Sequence, residues 1–438
     1  MIILHYTLGF PPHRSGGLVK YATDLMKEQF EQGHEVIALY PGKIKLFSKK
    51  TYIKSGKSDN FKLYQIVNSL PLAIFGGISS PIDFMREVPI GIYINLLKKT
   101  NPDVIHVHTL MGIHKEFFTA AKNLNIPIVF TTHDYYGLAP EPNFYFDNKS
   151  YDQKNVVENW ILASEGALST NQLRIFQFSI YPIIKSIVTF IKTKNSTSKF
   201  FSLKNKGVKI KSSNSSVEDF LALISYYKNV LSMIDGYHFN SSLSREVYSN
   251  NIDIGTFNKV ISITNSNISN FTYENKTKNN KTRLAYIGPD KDYKGFFDFI
   301  ELSKRTDLKD YEFHTYGYES VSEITNVIQH GRYKNSELNS IYRNIDILIV
   351  PSRWKETFGL IVLEALSTCT PVLVSNNVGA KDLVPNHFVF SSLNEIVKLL
   401  KLNTIKKEKF DFQVKNMNTH TKEILLFYIE VGDSCNEN

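Results

Sequence analysis

Cysteine is nearly absent: Cys369 and Cys435 are the two in 438 residues, too few for a disulfide framework. The amino-terminal MIILHYT has neither a basic stretch nor a cleavage site. A cytoplasmic location is therefore expected, and the several Asn-x-Ser/Thr triplets read as products of an Asn-rich composition. A membrane-spanning run is also missing. The most apolar stretch, IFQFSIYPIIKSIVTFI (Ile175 to Ile191), is shorter than the roughly 20 residues a span needs, and it holds Gln177, Pro182 and Lys185. It is expected to be interfacial or covered by the fold. Acidic residues are missing from one segment: Lys185 to Lys211 has eight lysines and no Asp or Glu, which accounts for most of the net charge of +9. No nucleic-acid-binding motif accompanies these lysines, so no nucleic-acid partner is expected. Two readings of residues 175–211 stay open. One is a surface for an anionic membrane, where each lysine contributes about 1 kcal/mol, giving peripheral attachment to the inner face of the plasma membrane. The other is a flexible basic insertion over an acceptor cleft.

What is present is ordinary for a soluble globular chain, 42% apolar and 21% charged, and long enough for two or three domains. Apolar Ile2 to His5 leads into a loop with Pro11, Pro12, Gly16 and Gly17. Leu18, Tyr21, Leu25, Met26 and Phe30 then follow the helical period, Gly33 is the stop, and Glu35 to Tyr40 reads as a strand. Strands follow at Asp103–Val107 and Ile126–Phe130 around the helical stretch Ile113–Leu124. The same alternation resumes from Phe220 to Ile263. After the Asn-rich stretch Thr264–Lys281 it starts again as LAYIG, EFHTYG, IDILIVPS and PVLVS. This pattern predicts an α/β fold of two doubly wound parallel-sheet domains. They are placed at residues 1–265, with an aromatic, Lys-rich insertion at about 140–216, and at 282–415. A last helix within 416–438 is expected to cross back onto the first domain, and ligand is expected between the domains at the carboxyl ends of the strands.

The segment KETFGLIVLEA, Lys355 to Ala365, carries two carboxylates eight positions apart. On one helix they would be separated by about 12 Å of rise, too far to share a scissile bond in the manner of a glycosidase pair at roughly 5 to 9.5 Å. They are expected to touch different parts of one extended ligand. IDILIVPS reads as a buried strand that delivers Arg353, Trp354 and Glu356 into a crevice, with Thr357 beginning a helix. The N–H groups near Gly359 would then face a phosphate. On spacing alone, Glu356 reads equally well as an acid at a helix start and Glu364 as a solvated one. His133 in FTTHD ends a strand and faces the crevice. His106 and His108 share one strand face, and two histidines are too few for a metal site, so core packing is expected and no metal is assigned.

PSRWKETFGLIVLEALSTCTPV resembles the donor-site segment of retaining GT-B glycosyltransferases of family four, with its E-x7-E pattern. The Gly-Gly loop before a helix, the Thr-His-Asp after IVF and the Lys-Gly of DYKGF resemble the same family, in the same order along the chain. The resemblance implies two Rossmann-like domains facing a cleft and transfer from a nucleotide diphosphate sugar to a glycan, lipid-linked or protein-linked acceptor. That transfer would serve capsule, exopolysaccharide or glycoprotein assembly, with no separate cofactor. It implies donor contacts from Gly16, Gly17, Lys294, Arg353, Glu356, Thr357, Phe358, Gly359, Leu360 and Glu364. Glu356 would take sugar hydroxyls, Glu364 the ribose and Lys294 the diphosphate, with His133 beside the reacting sugar. Two positions depart from the family: Pro289 follows Gly288 where Arg is usual, and Cys369 stands where Gly is usual. These departures keep a catalytically silent subunit of the same fold as an alternative, beside a nucleotide-sugar epimerase or hydrolase. Asp290-Lys291-Asp292 matches a metal-holding D-x-D pattern, but is read as a solvated loop.

Overall fold

The computed structural model describes residues 1–177, 215–268, 281–402 and 414–437, apart from 46, 47, 49, 57, 59, 74, 75, 147, 148, 154, 176, 320 and 321. The basic stretch 185–211 and most of the apolar run before it lie outside the described residues.

Short apolar strands dictate the architecture. A strand buried on both faces has no polar side to alternate, so Val104–Val107, Ile128–Thr131, Ile347–Val350 and Val372–Ser375 are buried at every position. Among the described residues eight strands make the first sheet, in the order Asn258–Val260, Gly236–Phe239, Ile128–Thr131, Val104–Val107, Ile2–Tyr6, Glu35–Pro41, Lys62–Val67, Tyr52–Ser55. All neighbours are parallel except the last pair, where Tyr52–Ser55 runs antiparallel along the edge. The second sheet has, among the described residues, six parallel strands, in the order Val327–Gln329, Tyr311–Tyr316, Thr282–Ile287, Ile347–Val350, Val372–Ser375, Val389–Phe390. This is the doubly wound arrangement, and it opens a crevice at the carboxyl ends of Thr282–Ile287 and Ile347–Val350, where the winding reverses.

Specific polar contacts hold the two sheets' domains together. Thr357 Oγ1 donates to the His133 carbonyl at 2.8 Å, and Ser241 Oγ donates to the Thr357 carbonyl at 2.5 Å. Asp382 accepts from the Ser242 backbone N–H and hydroxyl, both at 2.6 Å. The last helix, Met417–Glu437, lies on the first domain. His420 pairs with Tyr21, Tyr428 with His106 and Gln29, and Lys259 with Glu430. Among the described residues no helix is long and apolar enough to cross a membrane.

Candidate donor-binding cleft

The crevice at the winding reversal is a cleft of about 910 Å³ walled by both domains. Gly16 and Gly17, His133, Lys294, Glu356, Thr357, Phe358, Gly359, Leu360 and Glu364 all line it. The first-domain wall begins where the helix Gly17–Glu31 starts. Gly16 sits at φ 122°, in the left-handed region, and a Cβ there would meet nothing within 4 Å, so the backbone stays open toward the cleft.

Opposite, the strand Ile347–Val350 ends at Pro351, and the chain after it forms an extended strap before any helix. Glu356 bridges to Val378: its N–H donates to the Asn377 carbonyl, and its own carbonyl accepts from Gly379 N–H. The Phe358 carbonyl likewise accepts from Ala380 N–H at 2.7 Å. The strap uses these backbone groups on the neighbouring segment, so the helix begins at Leu360, with Gly359 as its N-cap, and not at Thr357. Glu356 and Glu364 are therefore not on one helix. Glu356 precedes it, and Glu364 lies within the helix Leu360–Ser367. In the first turn of this helix the Val362 N–H donates to the Gly359 carbonyl at 3.0 Å, and the turn borders the cleft through Gly359, Leu360 and Ile361.

Lys294 meets Glu356 across the cleft floor, Nζ to Oε1 2.6 Å, while Ser352 Oγ donates to the other carboxylate oxygen at 2.8 Å. The Lys294 ammonium also lies 5.2 Å from the centre of the Trp354 ring. This placement depends on Gly295 at φ 73°, packed so closely on the strand end that a Cβ would stand 1.8 Å from the Pro351 carbonyl oxygen. Glu364 is held by the Tyr342 hydroxyl, which donates at 3.1 Å, and burial raises its pKa. His133 is pushed down to about 3 by burial and is neutral at pH 7. Asp134 beside it is raised by burial to about 7.

Arg353 does not line the cleft. Asp298 grips its guanidinium through two bonds at 2.6 and 2.7 Å, and Asp292 through a third at 2.7 Å. Asp292 also accepts from Tyr145 at 2.9 Å, so the second Asp of the D-x-D pattern is tied into an ion-pair network and is not a solvated loop residue. Pro289 lines the cleft, and its carbonyl accepts from Tyr286. Cys369 is not among the cleft-lining residues. It forms a turn at φ 53°, a conformation that glycine adopts freely. Sequence reasoning did not single out Lys20, Lys27 and Asn265, which line the cleft from the first domain and its exit. The available signal was position: Lys20 stands one turn into the helix that follows Gly16–Gly17.

Sequence reasoning also missed His5. It lies across the strand register from His106, and His5, His106 and His108 form a buried group whose ring nitrogens come within 4.8 Å of one another. That spacing can hold a metal ion, yet both nitrogens of each ring already have hydrogen-bond partners.

Residues 269–395 match the family model described as Glycosyl transferases group 1, and residues 15–164 that described as Glycosyltransferase Family 4. The chain is 27% identical over 143 residues to an uncharacterized 41.2 kDa protein in the cps region of Klebsiella pneumoniae, covering 30% of this chain and 39% of that protein. It is 22% identical over 311 residues to an uncharacterized 42.6 kDa protein in the cps region of the same organism, covering 69% and 65%. The match thus spans less than two thirds of either relative's length. Among solved structures, the apo form of the lipopolysaccharide outer core galactosyltransferase WaaB is similar with a TM-score of 0.53 at 14% identity, over 100% of this chain and 98% of that one. Anabaena Alr3699/HepE in complex with UDP-glucose is similar with a TM-score of 0.50 at 11% identity, over 100% of both chains. At such identities the likeness is one of fold.

Proposed function

Because the chain belongs to the GT-B glycosyltransferases, with group 1 and family 4 regions, we propose that it is a retaining, hexosyl-type transferase. In this reading it moves a sugar from a nucleotide diphosphate sugar to a glycan, lipid-linked or protein-linked acceptor during surface polysaccharide or glycoprotein assembly. The observation that carries it is the cleft floor, where the Lys294–Glu356 pair lies beside the first turn of the helix that contains Glu364. A diphosphate needs cations and N–H donors, a sugar needs hydroxyl acceptors and a ribose needs an acceptor further along. The donor runs sugar, diphosphate, ribose, and Glu356, then Lys294 with the start of the helix Leu360–Ser367, then Glu364, all lining the cleft, support a donor laid in that order.

The roles follow from chemistry. Lys294 has three N–H donors, one of which meets Glu356, so others remain for a diphosphate oxygen. As the bond from the sugar's anomeric carbon to the diphosphate oxygen breaks, charge grows on that oxygen, and a positioned ammonium stabilises it most there. The acceptor oxygen bonds to the anomeric carbon on the same face, and its proton goes to the departing phosphate. Glu356 accepts donor-sugar hydroxyls, and Glu364 grips the ribose. With Pro289 in place of the usual Arg and Arg353 turned away, Lys27 on the opposite wall supplies further positive charge, while Lys20 there is paired with Asp24 at 2.8 Å. The cps-region relatives and the lipopolysaccharide transferase of similar fold support a surface-polysaccharide setting.

A thermal-shift screen over nucleotide sugars tests the reading, since a ligand bound only by the folded state raises its melting temperature. Labelled donor hits are then incubated with and without glycan acceptors. Transfer to an acceptor is the expected result. Release or isomerisation of the sugar alone would mean a hydrolase or epimerase, and a chain that binds no nucleotide sugar would be a silent subunit.

A further inference from the structure

Six of the chain's twelve histidines, His5, His106, His108, His133, His238 and His420, gather under the cleft, between the first sheet and the last helix. Five of them belong to one unbroken run of hydrogen bonds whose polarity can be worked out. At its far end His238 Nε2 lies 2.7 Å from the Ile261 carbonyl oxygen. A carbonyl only accepts, so Nε2 carries the hydrogen. Burial holds His238 down to about 4, so the ring is neutral at pH 7 and its Nδ1 is bare. Thr131 Oγ1, 2.7 Å away, therefore donates its single hydrogen to that nitrogen. The Thr131 oxygen is left to accept from His106 Nε2 at 2.6 Å. His106 Nδ1 is then bare and accepts from the Tyr428 hydroxyl at 2.5 Å. The Tyr428 oxygen in turn accepts from Gln29 Nε2 at 3.2 Å.

The Gln29 amide turns the run back toward the cleft. With its NH2 on Tyr428, its Oε1 faces His5 Nε2 at 2.7 Å, which must donate. His5 Nδ1 accepts from His108 Nε2 at 3.0 Å, and His108 Nδ1 accepts from His133 Nε2 at 3.4 Å. The opposite polarity would put hydrogens on both nitrogens of His238, a charged ring in a fully buried place.

We propose that this run, anchored on the Ile261 carbonyl and turned by Gln29, fixes His133 as the tautomer with hydrogen on Nε2, leaving its Nδ1 bare to accept a hydrogen bond from a hydroxyl of the bound sugar. The last clause rests on reading the cleft as the donor site; the tautomer itself does not. Gln29, Thr131 and Tyr428 are then positioning residues for His133, with the cleft as the place where their orientation is used. A ring free to adopt either tautomer would present a donor part of the time and select hydroxyl geometry less well.

The test is nitrogen NMR on the full chain labelled with 15N-histidine, in which long-range proton–nitrogen correlation distinguishes a protonated ring nitrogen from a bare one. His133→Asn identifies the His133 signals. The expected pattern for wild type at pH 7 is His133 protonated on Nε2 and bare on Nδ1; a hydrogen on Nδ1 overturns the proposal. Gln29→Leu cuts both arms and is expected to give a mixture of His133 tautomers. Gln29→Glu keeps an acceptor for His5 and is expected to retain the wild-type tautomer. A wild-type His133 pattern in Gln29→Leu overturns the control by Gln29, and if that variant does not fold, the wild-type spectrum still decides. Binding of UDP-glucose, but not of UDP, is expected to move the Nδ1 signal; saturation with UDP-glucose without such a change overturns the acceptor role. A chain that binds neither probe would count against the donor-site reading and leave the tautomer result standing.

Discussion

Lys294→Ala and Glu356→Gln together test whether the cleft floor is a reacting site or a structural ion pair. The pair is close, 2.6 Å, and its side chains keep 24% and 15% of their exposure. Two unit charges 4 Å apart attract by about 4 kcal/mol at an effective dielectric of 20, but removing them from water offsets most of that. Exposed pairs contribute about 0 to 1 kcal/mol, and breaking a buried pair costs about 3 to 5. The residual exposure here places the loss of either partner at about 1 to 2 kcal/mol of folding stability. Glu356 would keep the Ser352 hydroxyl, and Lys294 the face of Trp354. Turnover should respond far more. Losing one preorganised group aimed at developing charge costs about 10² to 10³ in kcat. The assay is release of nucleoside diphosphate at saturating donor, run beside urea denaturation of each variant. The expected result is turnover lowered at least about a hundredfold in both, with stability loss on the order of 1 to 2 kcal/mol. Turnover within about threefold of wild type in both variants would refute the assignment and make the pair structural, since its removal would then have no effect on the transition state.

Gly295→Ala should be among the most damaging single changes, because the new Cβ would stand 1.8 Å from the Pro351 carbonyl oxygen; a loss of about 4 kcal/mol or more is expected in urea denaturation, with Lys294 displaced. Cys369→Gly should act in the opposite direction, relieving a left-handed turn for a gain of up to about 1 kcal/mol while leaving donor affinity unchanged in calorimetry, because Cys369 lies off the cleft. Glu141 is buried and its carboxyl is pushed up by that burial from 4.5 to about 8, so the folded state holds the proton more tightly than the unfolded chain. Its contribution to stability is intact below pH 4.5 and is lost as pH rises through about 8. Glu141→Gln should therefore flatten the fall in stability between about pH 5 and pH 9, by a few kcal/mol in denaturation curves taken across that range. Changing the eight lysines from Lys185 to Lys211 to Gln should weaken binding to anionic vesicles in a sedimentation assay, and unchanged binding would favour the insertion reading.

How much was legible depended on how far apart in the chain the partners lie. The parallel strands were readable because burial on both faces leaves a short continuous apolar run, and Gly33 marked its helix end by a φ of 88°. The start of the helix after Glu356 was not readable. The sequence offered Thr357 as the start because the apolar run Leu360–Leu363 follows so closely, and what prevents helix there is the bridge to Val378, twenty-two positions after Glu356. Arg353 looked like a cleft cation because it follows a strand end, but the acids that capture it, Asp292 and Asp298, lie on the loop and helix after a different strand. His106 and His108 were visible as one strand face, whereas His5 joined them only through sheet register, and Gln29 and Tyr428 through helices packed on that face. Local pattern thus reports what a residue's own element does, and register decides which elements share a site. Where a residue follows a strand's carboxyl end and lines the cleft, as Glu356 and His133 do, both kinds of information point to the same place, which is why those positions and Lys294 could be named from the sequence, while Ser352 beside Glu356 and the groups behind His133 could not.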